Sequence, residues 1–279
     1  PDLYGKDTIF SNMADWNPAE MIGDKPAPLS ISLYRELITD NIWSQQRHKY
    51  GYKDCASNVL MFDFLGSPYI DIRTDLNSFL PKNLDKKISE KTVNYCVTKL
   101  RRKKFLHDKI EFKLIESCYT LNTKKNLEKF LNKVDVKKYS TELLDLTNNI
   151  ICGDILEKDI NIIKNFEKEL FNIKKSNCSH IERIYKYVSS IKKSGSLPFA
   201  GIARCAFISK QILDSLLSKN LIKKNDIQEI YSSIDTITNK INIDLLKVQK
   251  KKLAKKSFIK KYGHIRPSMY DINSKNYKD

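Results

Sequence analysis

Long hydrophobic runs are missing from this 279-residue chain. No apolar stretch approaches the roughly 18 to 20 residues that span a bilayer, so a membrane-spanning role is not expected. Residues 1–23 lack a basic start followed by an apolar block, the mark of a secretory signal, which leaves the cytoplasm as the expected compartment. The chain opens at Pro1 without Met, which points to a segment excised from a longer polypeptide. Its six cysteines (Cys55, Cys96, Cys118, Cys152, Cys178, Cys205) contain no Cys-x-x-Cys pair, and structural zinc sites or disulfide frameworks need closer spacing. Reduced, mostly buried thiols are expected. Also absent are G-x-x-x-x-G-K-[ST], G-x-G-x-x-G, H-E-x-x-H and G-x-S-x-G, so the chain has no nucleotide-binding, zincin or serine-hydrolase signature of its own. No internal repeat of solenoid period stands out.

What remains is a globular composition: 41% hydrophobic and 30% charged residues, on a chain long enough to bury a large core. The formal charge of +17 invites a nucleic-acid reading. Its make-up argues against it, because eight of the 50 basic residues are Arg and the rest are Lys spread along the chain. Forked guanidinium contacts to bases and phosphates are not available to Lys.

Periodicity predicts an α+β protein that is predominantly α-helical, a helical bundle with a small β element in its N-terminal part. Residues 1–80 supply an extended segment over 7–16, a helix from Leu29 to Lys49 stopped by Gly51, and a strand within Pro68–Phe79. Residues 81–279 read as one compact helical domain. Helices are expected over Asp85–Phe105, Lys124–Asn132, Ser140–Ile151, Ile155–Lys174, His180–Lys192 and Leu197–Leu217, with a strand at Glu111–Tyr119. A final long helix is expected on the stripe Ile227, Ile230, Tyr231, Ile234, Ile237, Ile241, Leu245 and Val248. Asn225 or Asp226 caps it, and it ends on a left-handed Gly263 before Pro267. Such a scaffold would present His264 and Arg266 on a rigid corner.

Arg204 is the most informative single residue, since nearly every neighbour in Leu197–Ile208 is apolar. A guanidinium buried there needs an internal carboxylate or an anionic ligand to answer it. His264 is either a helix-end cap or an acid/base group, with Asp271 near enough in sequence to orient it. The loop Asp15–Glu20 crowds two carboxylates, an amide and an indole together and suits a substrate-facing role. Arg35, Glu36 and Arg47 are expected at the surface or in ion pairs, and Arg73 stands out among the remaining arginines. The eight lysines within Lys247–Lys261 wind all around their helix, as a solvated end favoured by the helix dipole.

Four stretches, taken together and in order, resemble one family: Asp15–Gly23 (DWNPAEMIG), Ser32–Asp40 (SLYRELITD), Gly195–Arg204 (GSLPFAGIAR) and Tyr262–Ile272 (YGHIRPSMYDI). They are similar to the central region of bacterial phosphoenolpyruvate synthase/pyruvate phosphate dikinase-like proteins. The last also resembles the Gly-His-Arg signature of related antibiotic phosphotransferases. The resemblance implies an acceptor-site or domain-docking segment of an ATP-dependent phosphotransferase. ATP and Mg would then act in the full-length enzyme, and the ATP-grasp and phosphohistidine domains of the same chain would be its partners. No Thr-Ser-His segment is present, so His264 is not the phosphocarrier. The site then expected places Arg204, Arg266 and Arg73 on an anionic or phosphorylated acceptor, with His264, Asp15 and Asp271 as acid/base groups and no metal held by this segment. The alternatives are a basic polyanion-binding module using Arg101–Lys104 and Lys247–Lys261, or a structural spacer with Arg204 in an internal ion pair.

Overall fold

In a computed structural model, residues 3–14, 16–265, 275, 276 and 278 are described. They form two compact units, Pro1–Ser215 and Leu216–Asp279. The fold is α+β and mostly helical, with a small antiparallel sheet near the N-terminus.

The sheet comes first. Strands β1 (Phe10–Ser11), β2 (Met61–Phe64) and β3 (Ser67–Asp71) lie in the order β1-β3-β2. Phe64 pairs with Ser67 across a two-residue turn, and both turn residues are left-handed (Leu65 φ 55°, Gly66 φ 82°). That is the turn whose twist suits a hairpin. The strand expected to run on to Phe79 ends at Asp71, whose Oδ1 accepts the Thr74 N–H at 3.1 Å and starts a helix instead.

Before the hairpin lie α1 (Pro18–Ile22), α2 (Pro28–Tyr34) and α3 (Ile42–Lys49). The single helix expected over 29–49 is interrupted by a π-helical turn, Arg35–Thr39, and by Asn41 at ψ −37° with φ −145°. After the hairpin come α4 (Ile72–Ser78) and α5 (Lys86–Arg102), whose Asp85 cap accepts the N–H groups of Lys87 and Ile88. In place of the strand expected at Glu111–Tyr119, a second π turn spans Ile110–Leu114 before the chain extends at Ile115. Next are α6 (Thr123–Leu127), α7 (Lys133–Cys152), α8 (Ile155–Lys175) and α9 (His180–Ser190). Ser179 and Glu182 close a capping box at the start of α9. A third π turn, Ile191–Ser196, leads into α10 (Leu197–Ser218).

The main core of unit 1 gathers Trp43, Ile70, Leu76 and Phe79 with Val93, Cys96, Tyr139 and Leu143. It runs across position 80 without a break, so the boundary expected there is not found, and the division falls after Ser215. Burial pushes the thiols of Cys55, Cys96 and Cys118 up to about 12, and all six cysteines are free.

Unit 2 corrects the long terminal helix. Three helices stand in its place: α11 (Lys224–Ser233), α12 (Ile237–Gln249) and α13 (Lys255–Tyr262). Ile234 is extended, and Thr236 Oγ1 caps α12 by accepting the Asn239 N–H at 3.1 Å. Lys251, at φ 55°, ends it. A capping threonine and one left-handed lysine therefore override the apolar stripe, and Ile230, Tyr231, Ile234, Ile237 and Leu245 of that stripe are exposed. Gly263 is right-handed at φ −63° and not left-handed; its N–H bonds to the Ile259 carbonyl at 2.7 Å.

Asp244 locks α12 to α13. Its carboxylate accepts from Lys261 Nζ at 2.9 Å, Lys247 Nζ at 3.0 Å and the Tyr262 hydroxyl at 2.8 Å. These donors, Lys261 foremost, hold it well below the usual carboxylate range. The native form therefore binds fewer protons than the unfolded chain. The stabilisation is complete above the unfolded-state value of about 3.9 and drains away as pH falls below it. Amide exchange in α12 and α13, corrected for intrinsic rates, should accelerate between pH 6 and pH 3. Asp244→Asn should be less protected at pH 6 and flatten that change.

Candidate functional site

Unit 1 contains a cleft of about 950 Å³. Its first wall is the loop before α1. Trp16 (φ 68°) and Asn17 (φ 23°) both have positive φ, a conformation that costs non-glycine residues energy and that clusters at functional sites. Three bonds enforce it: Tyr34 donates its hydroxyl to the Trp16 carbonyl, the Asn17 N–H reaches the Ala14 carbonyl at 2.8 Å, and Asn17 Oδ1 accepts the Glu20 N–H at 3.1 Å. Trp16, Asn17, Glu20 and Met21 thereby face the cleft.

The opposite wall is α10, through Phe199, Ala200, Ala203, Arg204 and Phe207, with Ile163 and Phe166 of α8 beside it. Each of the three π turns also contributes: Ile38 from the first, Ile110, Glu111 and Phe112 from the second, and Ile191, Gly195 and Ser196 from the third. A π turn inserts an extra residue into a helix at an energetic cost and is found mostly at functional sites. Gln46 and Arg47 of α3 complete the lining.

At its buried end, Arg204 is ion-paired with Glu111, both almost fully enclosed (3% and 4% exposed side chains). Glu111 Oε1 also accepts from Gln211 Nε2 at 3.1 Å and from Ser117 Oγ at 3.4 Å. Gln211 Nε2 bonds Ser117 Oγ at 3.0 Å as well. The Arg204 guanidinium carbon lies 5.0 Å from the Phe79 ring centroid, and that of Arg47 lies 4.0 Å from the same ring. Arg47, expected at the surface or in an ion pair, is 1% exposed. Burial pushes the Tyr52 phenol up, against the pull of the Arg204 charge.

A second buried polar cluster joins α3, α8 and α10. Asp159 accepts from Lys49 Nζ and, at 2.8 Å, from the Tyr50 hydroxyl. Burial foremost, then that bond, raises the Tyr50 phenol far above its ordinary range. Gly201 permits the arrangement: a Cβ there would land on the Asp159 carboxylate and the Tyr50 hydroxyl, with Tyr50 Cε2 at 2.9 Å.

Of the expected site residues, Arg204 is in the cleft, with its charge answered by Glu111. Arg73 is not among the lining residues. It donates to the carbonyls of Tyr4 at 3.2 Å and Leu3 at 2.9 Å, tying down the N-terminal segment. His264 belongs to unit 2, follows the end of α13 and is exposed. Asp15, Arg266 and Asp271 lie outside the described residues. The expected concentration of positive charge is absent from this cleft: Arg47 and Arg204 face Glu20, Asp108 and Glu111 across an otherwise apolar lining. Of the basic stretches, Arg101 contacts Asp7 at 3.3 Å, while Lys247 and Lys261 are engaged by Asp244. Sequence reasoning missed Glu111, which is 93 residues from Arg204, and Gln46. Position offered one signal for Gln46: it falls three and four residues after Trp43 and Ile42, on the inward face of α3.

Among the described residues, no group of three or more His, Cys, Asp or Glu is placed to hold a metal ion, and no helix is long and apolar enough to cross a membrane. No protein-family model, characterised protein or solved structure matches this chain.

Proposed function

We propose that this chain is the acceptor-site domain of a cytoplasmic, phosphoenolpyruvate synthase-like, ATP-dependent phosphotransferase. It works with ATP-grasp and phosphohistidine domains of the same polypeptide, the first binding ATP and Mg. The observation that carries this reading is the convergence of three of its four family-like stretches. Asp15–Gly23, Ser32–Asp40 and Gly195–Arg204 are far apart in sequence, yet all contribute residues to the one cleft. Apolar pockets with a few convergent polar groups are the usual form of a small-molecule site. In the proposed reaction an acceptor oxygen bonds phosphorus, the bond from phosphorus to the carrier histidine breaks, and the acceptor proton leaves. His264 manages that proton or donates a hydrogen bond to the arriving group, with Asp15 or Asp271 as the alternative base and Arg266 holding charge.

Filling the cleft tests this. In the full-length protein, Ala203→Tyr should leave ATP-dependent phosphorylation of the carrier histidine unchanged. It should raise the acceptor KM by at least about tenfold, the equivalent of roughly 1.4 kcal/mol of lost binding. Turnover equal to the parent enzyme at every acceptor concentration would remove the cleft from the mechanism.

A further inference from the structure

Gln46 is a polar side chain without a printed role in the fold. It is 1% exposed, it lines the cleft, and its Nε2 has no hydrogen-bond partner among the described residues. A buried N–H left unpaired costs about 1 to 3 kcal/mol and is retained where a ligand answers it. The surroundings define that ligand. The walls are aromatic and aliphatic, with Trp16, Phe166, Phe199 and Phe207 prominent, and two guanidinium groups are outnumbered by three carboxylates. At about 950 Å³ the cleft is of the size that encloses a drug-sized molecule, far more than a three-carbon acid fills.

We infer that the cleft binds a bulky, uncharged, largely aromatic molecule bearing a hydroxyl or carbonyl oxygen, and that the Gln46 side-chain amide donates to that oxygen. This rests on the acceptor-site reading and specifies the acceptor's chemistry. It places pyruvate and other small anions outside the cleft, because nothing there supplies surplus positive charge.

The test is calorimetric titration of the intact chain with 2-naphthol, 2-naphthoate and pyruvate. The expected order is 2-naphthol above 2-naphthoate, with pyruvate not binding and not competing. Gln46→Leu should weaken 2-naphthol about tenfold, the worth of one buried hydrogen bond. The same variant should unfold at a higher temperature than the parent, because an unanswered donor has been removed from the interior. A merely structural glutamine would give the opposite sign. Binding of 2-naphthol unchanged in Gln46→Leu, or pyruvate displacing it, would overturn the inference. The two proposals fail separately. If 2-naphthol binds through Gln46 but the full-length protein with ATP never phosphorylates an aromatic hydroxyl, the phosphotransferase reading falls and the binding site stands. Phosphorylation of pyruvate without 2-naphthol binding does the reverse.

Discussion

Arg204→Met should lower the stability of unit 1 by about 3 to 5 kcal/mol, the cost of leaving a buried carboxylate without its counter-charge. Glu111 is 4% exposed, so solvent does not replace the guanidinium, and Gln211 and Ser117 supply only neutral donors to the same oxygen. The decisive comparison is the double variant Arg204→Met/Glu111→Leu. With both charges gone, the desolvation term goes too, and most of the loss should be recovered. Gln211 and Ser117 keep each other as partners in that background. Urea unfolding followed by Trp16 and Trp43, the only two tryptophans and both in unit 1, reads the effect directly. A double variant as unstable as the single would show that packing of the long side chains, and not charge pairing, holds this end of the cleft together.

Gly201→Ala should be the second large effect, and two physical terms compete for its sign. Helix propensity alone favours alanine over glycine by about 1 kcal/mol. Against it stands the added methyl, which falls on groups anchored in two other helices: the Asp159 carboxylate of α8, and the Tyr50 ring and hydroxyl that follow α3. Overpacking of this kind costs about 1 to 3 kcal/mol. Separating Asp159 from its donors adds a further 1 to 3 kcal/mol, roughly. Packing therefore wins, with a net loss of about 2 kcal/mol or more measured by the same unfolding transition. Tyr50→Phe, made in the Gly201→Ala background, should return part of it by removing one of the atoms struck. A neutral or stabilising Gly201→Ala would mean that α10 does not approach α3 and α8 this closely.

How far the sequence could be read depended on whether a signal was local. Helix α5 was legible because Asp85 and the apolar spacing from Ile88 to Leu100 lie within one segment and agree. The terminal helix was misread because its stripe from Ile227 to Val248 satisfies helical periodicity, while the stops at Thr236 and Lys251 are ordinary residues whose capping and left-handed roles are set by context. Arg204 declared itself as a charge among apolar neighbours. Its partner Glu111 did not, because a contact spanning 93 residues leaves no trace in composition. Arg73 shows the converse, a charge noticed in sequence whose guanidinium serves two main-chain carbonyls. Gly201 carried an unused clue, since glycine within a helix is costly unless another element passes close by.

The three π turns have an evolutionary corollary. Each holds one residue more than its helix needs, and a lineage that lost a single codon there would restore ordinary helical winding. At 3.6 residues per turn, one deletion within Ile191–Ser196 would rotate everything on α10 by roughly 100° about its axis. Phe199, Ala203 and Arg204 would swing away together, and Glu111 would lose its counter-ion in the same event. The cleft is thus inherited with three reading-frame-length insertions that drift cannot trim one at a time.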